Sequence, residues 1–200
     1  RGMTATTSAS LRVRCATSGR KPHLSKPDYN HLIDLADLHQ EDLDLVAGAG
    51  IDAVAPELAE AFYPPVLAQP GLKAIIDEHS SVDRHSKALY RYVGGLLSGV
   101  LDDDRAKGVE YIGTVHDRIQ LPVRAHIGAT VRVDQVVLGH LIDSIDDREE
   151  LFRAVMAWRK LLTFDIALVT QSFIDARDAQ VADVTAIQAQ TRQRAEQLAA

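Results

Sequence analysis

His116 is the residue in this chain best placed to do chemistry. It lies in Val115-His116-Asp117-Arg118-Ile119-Gln120-Leu121-Pro122, with Val109 and Ile112 seven and four residues before it and Ile119 three after. That spacing puts an imidazole on the apolar stripe of a helix. A buried imidazole is costly without a partner, and a metal ion is a partner that a neutral histidine nitrogen takes readily. Tyr63 follows Phe62 on an earlier helix, and His85, Leu89 and Tyr92 share one face of a later one, with Ala88 beside them. A haem asks for such a set: a slot between helices, one axial nitrogen, and a second face whose side chains govern what binds the open coordination position. A tyrosine hydroxyl there can donate to a polar gas ligand, a bond contributing roughly 1–3 kcal/mol. Residue types alone leave another reading beside this one. His116 also fits a hydrogen-bonded core histidine, Tyr63 a core tyrosine with its hydroxyl at a boundary, and Ala88, Leu89 and Tyr92 ordinary packing.

The elements that must position these residues are helices. From about residue 29 apolar side chains recur at helical spacing, and the one period-two run, Val131-Arg132-Val133, sits between helical patterns. A short helix is predicted from Gln40 to Val46. A longer one follows from Asp52 to Leu67, with Pro56 in its first turn, an interruption at Pro64-Pro65 and a stop at Pro70-Gly71. The next unit starts near Asp77-Glu78-His79 and runs from Ser81 to Val100, capped by Ser80 or Ser81. Asp102-Asp103-Asp104 caps the helix that carries His116. Pro122 opens another, on which Val123, Ile127, Val131, Val136, Leu138 and Leu141 continue the core. The last runs from Arg148 through at least Ala176. Its apolar positions, Phe152, Trp158, Phe164, Val169 and Phe173 among them, cover more than one face, as in a helix buried against two partners. Beyond Asp178 the apolar residues Val181, Val184, Ile187 and Leu198 are sparse among Ala, Gln and Arg, the pattern of a connector helix or coiled coil.

Bulk composition narrows the class. A chain of 200 residues is long enough for one substantial helical core. The net charge of -6 argues against nucleic acid as a partner. Residues 1–26 carry six basic side chains and no acidic one, which leaves the remainder near -12 and marks the first 26 residues as a flexible basic tail. No run is long and apolar enough for a membrane span or a signal peptide. The single Cys15 excludes an intrachain disulfide and a cysteine metal cluster, so a cytoplasmic protein is expected, with any cofactor held by histidine, carboxylate or tyrosine.

Three motifs carry a resemblance. Ile76 to Asp104, above all His79-Ser80-Ser81-Val82-Asp83-Arg84 and Leu97-Ser98-Gly99-Val100-Leu101-Asp102-Asp103, resembles the sensor globin domain of globin-coupled sensors. So does Ile112-Gly113-Thr114-Val115-His116-Asp117-Arg118-Ile119-Gln120-Leu121-Pro122, whose family pattern is a histidine, one variable residue, then Arg-Ile-Gly-Leu-Pro. Phe62-Tyr63 is similar to the family's Phe-Tyr pair. The resemblance spans roughly residues 30–177 with element order intact, and three motifs in order are more specific than any one.

The resemblance implies an all-α globin fold with an extra N-terminal helical segment, no separate D helix and an extended C-terminal helix. It implies a haem b held by His116 as proximal iron ligand, with Phe62, Tyr63, His85, Ala88, Leu89, Ile112, Ile119 and Ile127 around the cofactor and Tyr63 over its distal face. The implied organisation is a tail over 1–26, a haem-binding sensor globin over 27–177, and the start of a helical linker to an output domain over 178–200. The implied function is reversible gas sensing, of dioxygen and also of carbon monoxide or nitric oxide, relayed through a homodimer formed by the helices around 122–143 and 148–177. No catalysis is expected of this segment, and neither nucleic acid nor membrane is an expected partner. A cofactor-free interaction domain and a haem enzyme such as a nitric-oxide dioxygenase are the competing classes. Departures from the family pattern are Gln120 for the glycine after Arg118-Ile119, Ala125-His126 for Trp-Tyr, Thr130 for an aromatic, Ala88 for a threonine and His85 for a leucine. His79 and Arg84 are the candidates for a haem propionate.

Overall fold

The computed structural model describes residues 19–48 and 50–199, which form eight helices and no strand. In chain order they are α1 (Pro27–Ala36), α2 (Gln40–Ala47), α3 (Ile51–Leu67), α4 (Pro70–His79), α5 (Val82–Leu96), α6 (Asp103–Arg118), α7 (Val123–Ser144) and α8 (Arg148–Ala199). Val131-Arg132-Val133 lies inside α7: Val133 faces the core while Val131 and Arg132 face out. Pro70 begins a helix instead of ending one, because at the first helical position its missing N–H costs nothing. Pro56 falls in the second turn of α3, not the first, since α3 starts at Ile51. The helix expected over Ser81–Val100 ends at Leu96, short of Gly99, whose φ of 71° suits glycine and not other residues.

Local chemistry sets the helix ends. Ser81 accepts from the Arg84 N–H at the start of α5, and Asp102 accepts from the Arg105 N–H at the start of α6. Only Ser80 and Ser81 separate α4 from α5, so no further helix intervenes there. The C-terminus of α6 closes as a Schellman turn: the Leu121 N–H donates to the His116 carbonyl at 3.0 Å and the Gln120 N–H to the Asp117 carbonyl at 2.9 Å. Gln120 occupies the left-handed position (φ 56°) that the family pattern gives to glycine, and its side-chain amide donates back to the Asp117 carbonyl.

Helix packs on helix throughout. α6 lies along α8, α3 along α7, and α2 and α7 also rest on α8, while α5 packs on α3 and α4. Trp158, Phe164, Val169 and Phe173 of α8 are enclosed, and the Trp158 indole N–H donates to buried Asp134 of α7 at 2.9 Å. Of the expected tail, residues 1–18 lie outside the described residues. Residues 19–26 are anchored and not loose: Leu24 is buried, the Ser25 N–H donates to Asp103, and Lys26 pairs with Glu110 of α6. Charge complementarity to the acidic start and middle of α6 explains why this basic stretch docks.

Gly113 sets how closely α6 approaches α8. A Cβ there would lie 2.5 Å from the Val169 carbonyl oxygen and 2.7 Å from the Ser172 Cβ. Both obstacles are backbone or short side chain, so they cannot swing aside. Gly113→Ala is therefore expected to destabilise the protein by about 1–3 kcal/mol through overpacking, in spite of alanine's better helix propensity. A urea unfolding midpoint equal to wild type would show that the seam is looser than this geometry.

Candidate functional site

Two groups of rings lie in the interior. On one side the Tyr63 hydroxyl of α3 is 2.8 Å from Nδ1 of His85 on α5, and the Phe62 ring stacks on His85 with centroids 5.8 Å apart. On the other side His116 of α6 lies 5.1 Å from the His126 ring of α7 and 5.7 Å from Phe173 of α8. α5 and α6 do not pack along each other, since α5 rests on α3 and α4 and α6 on α8. His85 and His116 are thus carried by different packing layers, yet His85 is near enough to disfavour a charge on His116.

The electrostatics of these rings follow from burial. Burial, with smaller contributions from His126 and His85, pushes the pKa of His116 down to about 3, and burial pushes that of His126 down to about 4. His85 is also lowered and Tyr63 raised, again by burial. All three imidazoles are therefore neutral at pH 7 and the phenol keeps its proton. His116 is only partly buried, but its Nδ1 is enclosed with no hydrogen-bond partner, and so is Nε2 of His126. Uncompensated buried nitrogens are rare in a finished core. They mark a place where the side chains are arranged for something other than each other.

The sign of the pH dependence follows. In the unfolded chain these histidines protonate near pH 6.5. Folded-state values lie below that, so the stability held by the neutral forms is complete above about pH 6.5 and is lost as pH falls toward the folded values of about 4 and 3. Ligand-free protein is expected to lose up to about 1.4 kcal/mol per pH unit for each of His116 and His126 below pH 6. Urea unfolding at pH 7 and pH 5 reads this, and equal stabilities would mean that the rings are solvated.

Of the expected set, Phe62, Tyr63 and His85 are in mutual contact, His116 lies with His126 and Phe173, and Leu89 and Ile112 are half-buried against the core. Ile119 is half-buried at the end of α6. Two expected residues are exposed. Ile127 is 41 % exposed on α7, and Ala88 is exposed on α5. His79 and Arg84 are exposed at the α4–α5 junction. Sequence reasoning undervalued His126 and Phe173. The signal was there: His126 lies ten residues after His116, across the Pro122 turn, and Phe173 ends the apolar run of α8.

Fold and site together define a class: an all-α globin. The globin domain of the Geobacter sulfurreducens globin-coupled sensor superposes with a TM-score of 0.68 at 20 % identity, over 72 % of this chain and 96 % of that one. The sequence profile of the Protoglobin family matches residues 25–179, and the chain belongs to that family. Globins as a family bind haem. Among the described residues no helix is long and apolar enough to cross a membrane.

Proposed function

We propose that this chain is a haem-binding gas-sensor domain, with dioxygen as its signal and carbon monoxide and nitric oxide as further ligands. The observation that carries the reading is His116, a neutral imidazole with an enclosed, unpartnered Nδ1. His85 of the Tyr63–His85 pair is near enough to disfavour a charge on it. His116 supplies the axial nitrogen, and burial keeps it in the neutral form that can ligate. Phe62, Leu89, Ile112, Ile119 and Phe173 supply apolar surface for the macrocycle. Haem b supplies the one thing the chain lacks, an iron with an open position for a diatomic gas.

Tyr63 and His85 share one hydrogen bond between Oη and Nδ1. When Tyr63 donates, His85 is the Nε2–H tautomer and presents an N–H. When Nδ1 donates, the Tyr63 hydroxyl proton is free to turn elsewhere. Either arrangement leaves one donor for a polar gas, so the two side chains serve that role together.

The reading extends to transmission. Val131 and Ile142 of α7 and Phe152 and Met156 of α8 are exposed apolar side chains, which supports a homodimer through these two helices. α8 continues without a break to Ala199 and is exposed from Arg177 to Leu198, as a connector to an output domain would be. The reading assigns gas binding to this domain, not turnover, and the cytoplasm as its place. The test is the absorption spectrum of the purified protein, reduced without oxygen and then exposed to it. A five-coordinate ferrous spectrum that changes reversibly on oxygenation supports the proposal. A six-coordinate ferrous spectrum would make His85 a second axial ligand, and failure to take up haem on reconstitution would overturn the proposal for a cofactor-free interaction domain.

A further inference from the structure

Asp117 follows His116 on α6 and is 1 % exposed. A carboxylate in the last turn of a helix stands at the negative end of the macrodipole and is disfavoured there unless something compensates it. Here each oxygen has its own partner on α8: Oδ1 accepts from Arg177 Nη2 at 3.2 Å, and Oδ2 accepts from Gln180 Nε2 at 2.6 Å. Arg177 and Gln180 are three residues apart and therefore share a face. Phe173 is on that face too, one turn earlier, with its ring 5.7 Å from His116. One face of α8 thus holds two consecutive residues of α6, one by ring contact and one by charge.

The place where this happens matters. Phe173 is enclosed, whereas every residue from Arg177 to Leu198 is exposed. Beyond Gln180, the side-chain hydrogen bonds and ion pairs among the described residues stay within α8. The clamp therefore sits where α8 leaves the globin core. The Schellman turn fixes the end of α6 through the His116 and Asp117 carbonyls, so the two residues move as one body.

We infer that Asp117 couples the two sites: it ties the position of the α6 C-terminus, and with it His116, to the exposed stretch of α8. A displacement of His116 carries the Asp117 carboxylate with it. Arg177, half in water, then follows or lets go, and the exposed stretch is held or released. That gives two discrete arrangements, which a local shift needs in order to bias a remote element. The source of the displacement rests on the gas-sensor reading, but the clamp does not.

The experiment is hydrogen exchange on the haem-loaded protein, ferrous with and without carbon monoxide, in wild type and Asp117→Ala. Removing the buried carboxylate leaves Arg177 free to enter water, so the variant is expected to fold and to keep its haem spectrum. Wild type should show a ligand-dependent change in exchange over residues 174–190. Asp117→Ala should reduce that difference at least about five-fold, with a matching shift in carbon monoxide affinity by linkage. Gln180→Ala, a change at an exposed residue that removes one of the two partners of Asp117, should reduce it in part and serves if Asp117→Ala fails to fold. A wild type without a ligand-dependent difference overturns the coupling, as does a variant that retains all of it. A wild type that takes up no haem overturns the gas-sensor reading instead. The clamp is then read in the haem-free protein, where Asp117→Ala should raise exchange over both 116–121 and 177–184 about ten-fold while leaving 29–46 unchanged. Unchanged exchange at those two segments overturns the clamp.

Discussion

His116→Ala is expected to purify with on the order of a tenth or less of wild-type haem, because the one strong protein ligand is gone. The other histidines near the site are poor substitutes. His85 is held on α5 by the contact of its Nδ1 with the Tyr63 hydroxyl at 2.8 Å and would have to leave it to occupy the place of the lost ring. His126 is 9 % exposed and belongs to α7, and to reach the position of the lost ring it would have to leave its packing against Phe173. The alanine leaves a space the shape of an imidazole. Free imidazole added to His116→Ala should therefore restore haem uptake and a nitrogen-ligated spectrum. The competing reading, a core histidine with no ligand role, makes the opposite forecast. Its enclosed Nδ1 is an unsatisfied polar atom, so His116→Leu would stabilise the protein and change nothing spectroscopic. Wild-type haem content in His116→Ala would remove His116 from the axial position.

Most of the fold was legible because helices announce themselves by period and by caps. Ser81, Asp102 and Pro122 stand where α5, α6 and α7 begin, each for a reason visible in the residue type. Pro70 misled because proline marks both a stop and a first turn, and only the helix that follows decides which. The family motifs single out His116, Phe62 and Tyr63, but a motif carries no side-chain direction. Ala88 and Ile127 stand near the motifs by position, and their side chains are exposed. Gly113 was read only as part of a motif, although its meaning is a contact with α8, a distance that no local pattern contains. Asp117 and Asp165 are buried acids paired with residues 60 positions away, and at that separation a sequence shows the two charges without showing that they meet. Asp165 did leave a trace, a lone acid inside the apolar run of α8.

Asp165→Asn should be among the most destabilising single changes in the protein. Asp165 is 0 % exposed and its Oδ2 accepts from Arg105 Nη2 at 2.7 Å. The rest of the cluster is poorly satisfied: Asp165 Oδ1, Arg105 Nε and the Tyr92 hydroxyl are enclosed without well-formed hydrogen bonds, although Tyr92 is close enough to Asp165 to interact with it. Burial raises the Asp165 pKa even with the guanidinium in contact, so desolvation outweighs the attraction. A pair of this kind adds little net stability, but breaking it strands a buried charge. Asparagine keeps the shape and leaves Arg105 charged, and guanidinium cannot neutralise itself by losing a proton. The expected loss is about 3–5 kcal/mol, lowering the Tm by roughly ten degrees or more. The converse change is milder. In Arg105→Met the stranded group is a carboxyl, which can take a proton. Its folded pKa, already above the unfolded value, rises further, so the penalty is absent below the unfolded pKa of about 4 and grows as pH rises through the folded value. Arg105→Met should accordingly approach wild-type stability in mild acid, whereas Asp165→Asn should not. The double variant Arg105→Met/Asp165→Leu should match wild type or exceed it by about 1–4 kcal/mol, and a double variant as unstable as Asp165→Asn would show that the pair is a net stabiliser. If the pair is close to neutral in energy, its use is positional. Arg105 stands in the first turn of α6 and Asp117 in its last, each bound to α8, with the Gly113 contact between them. The helix that carries His116 is held to α8 at both ends, and only the far hold lies where α8 leaves the core.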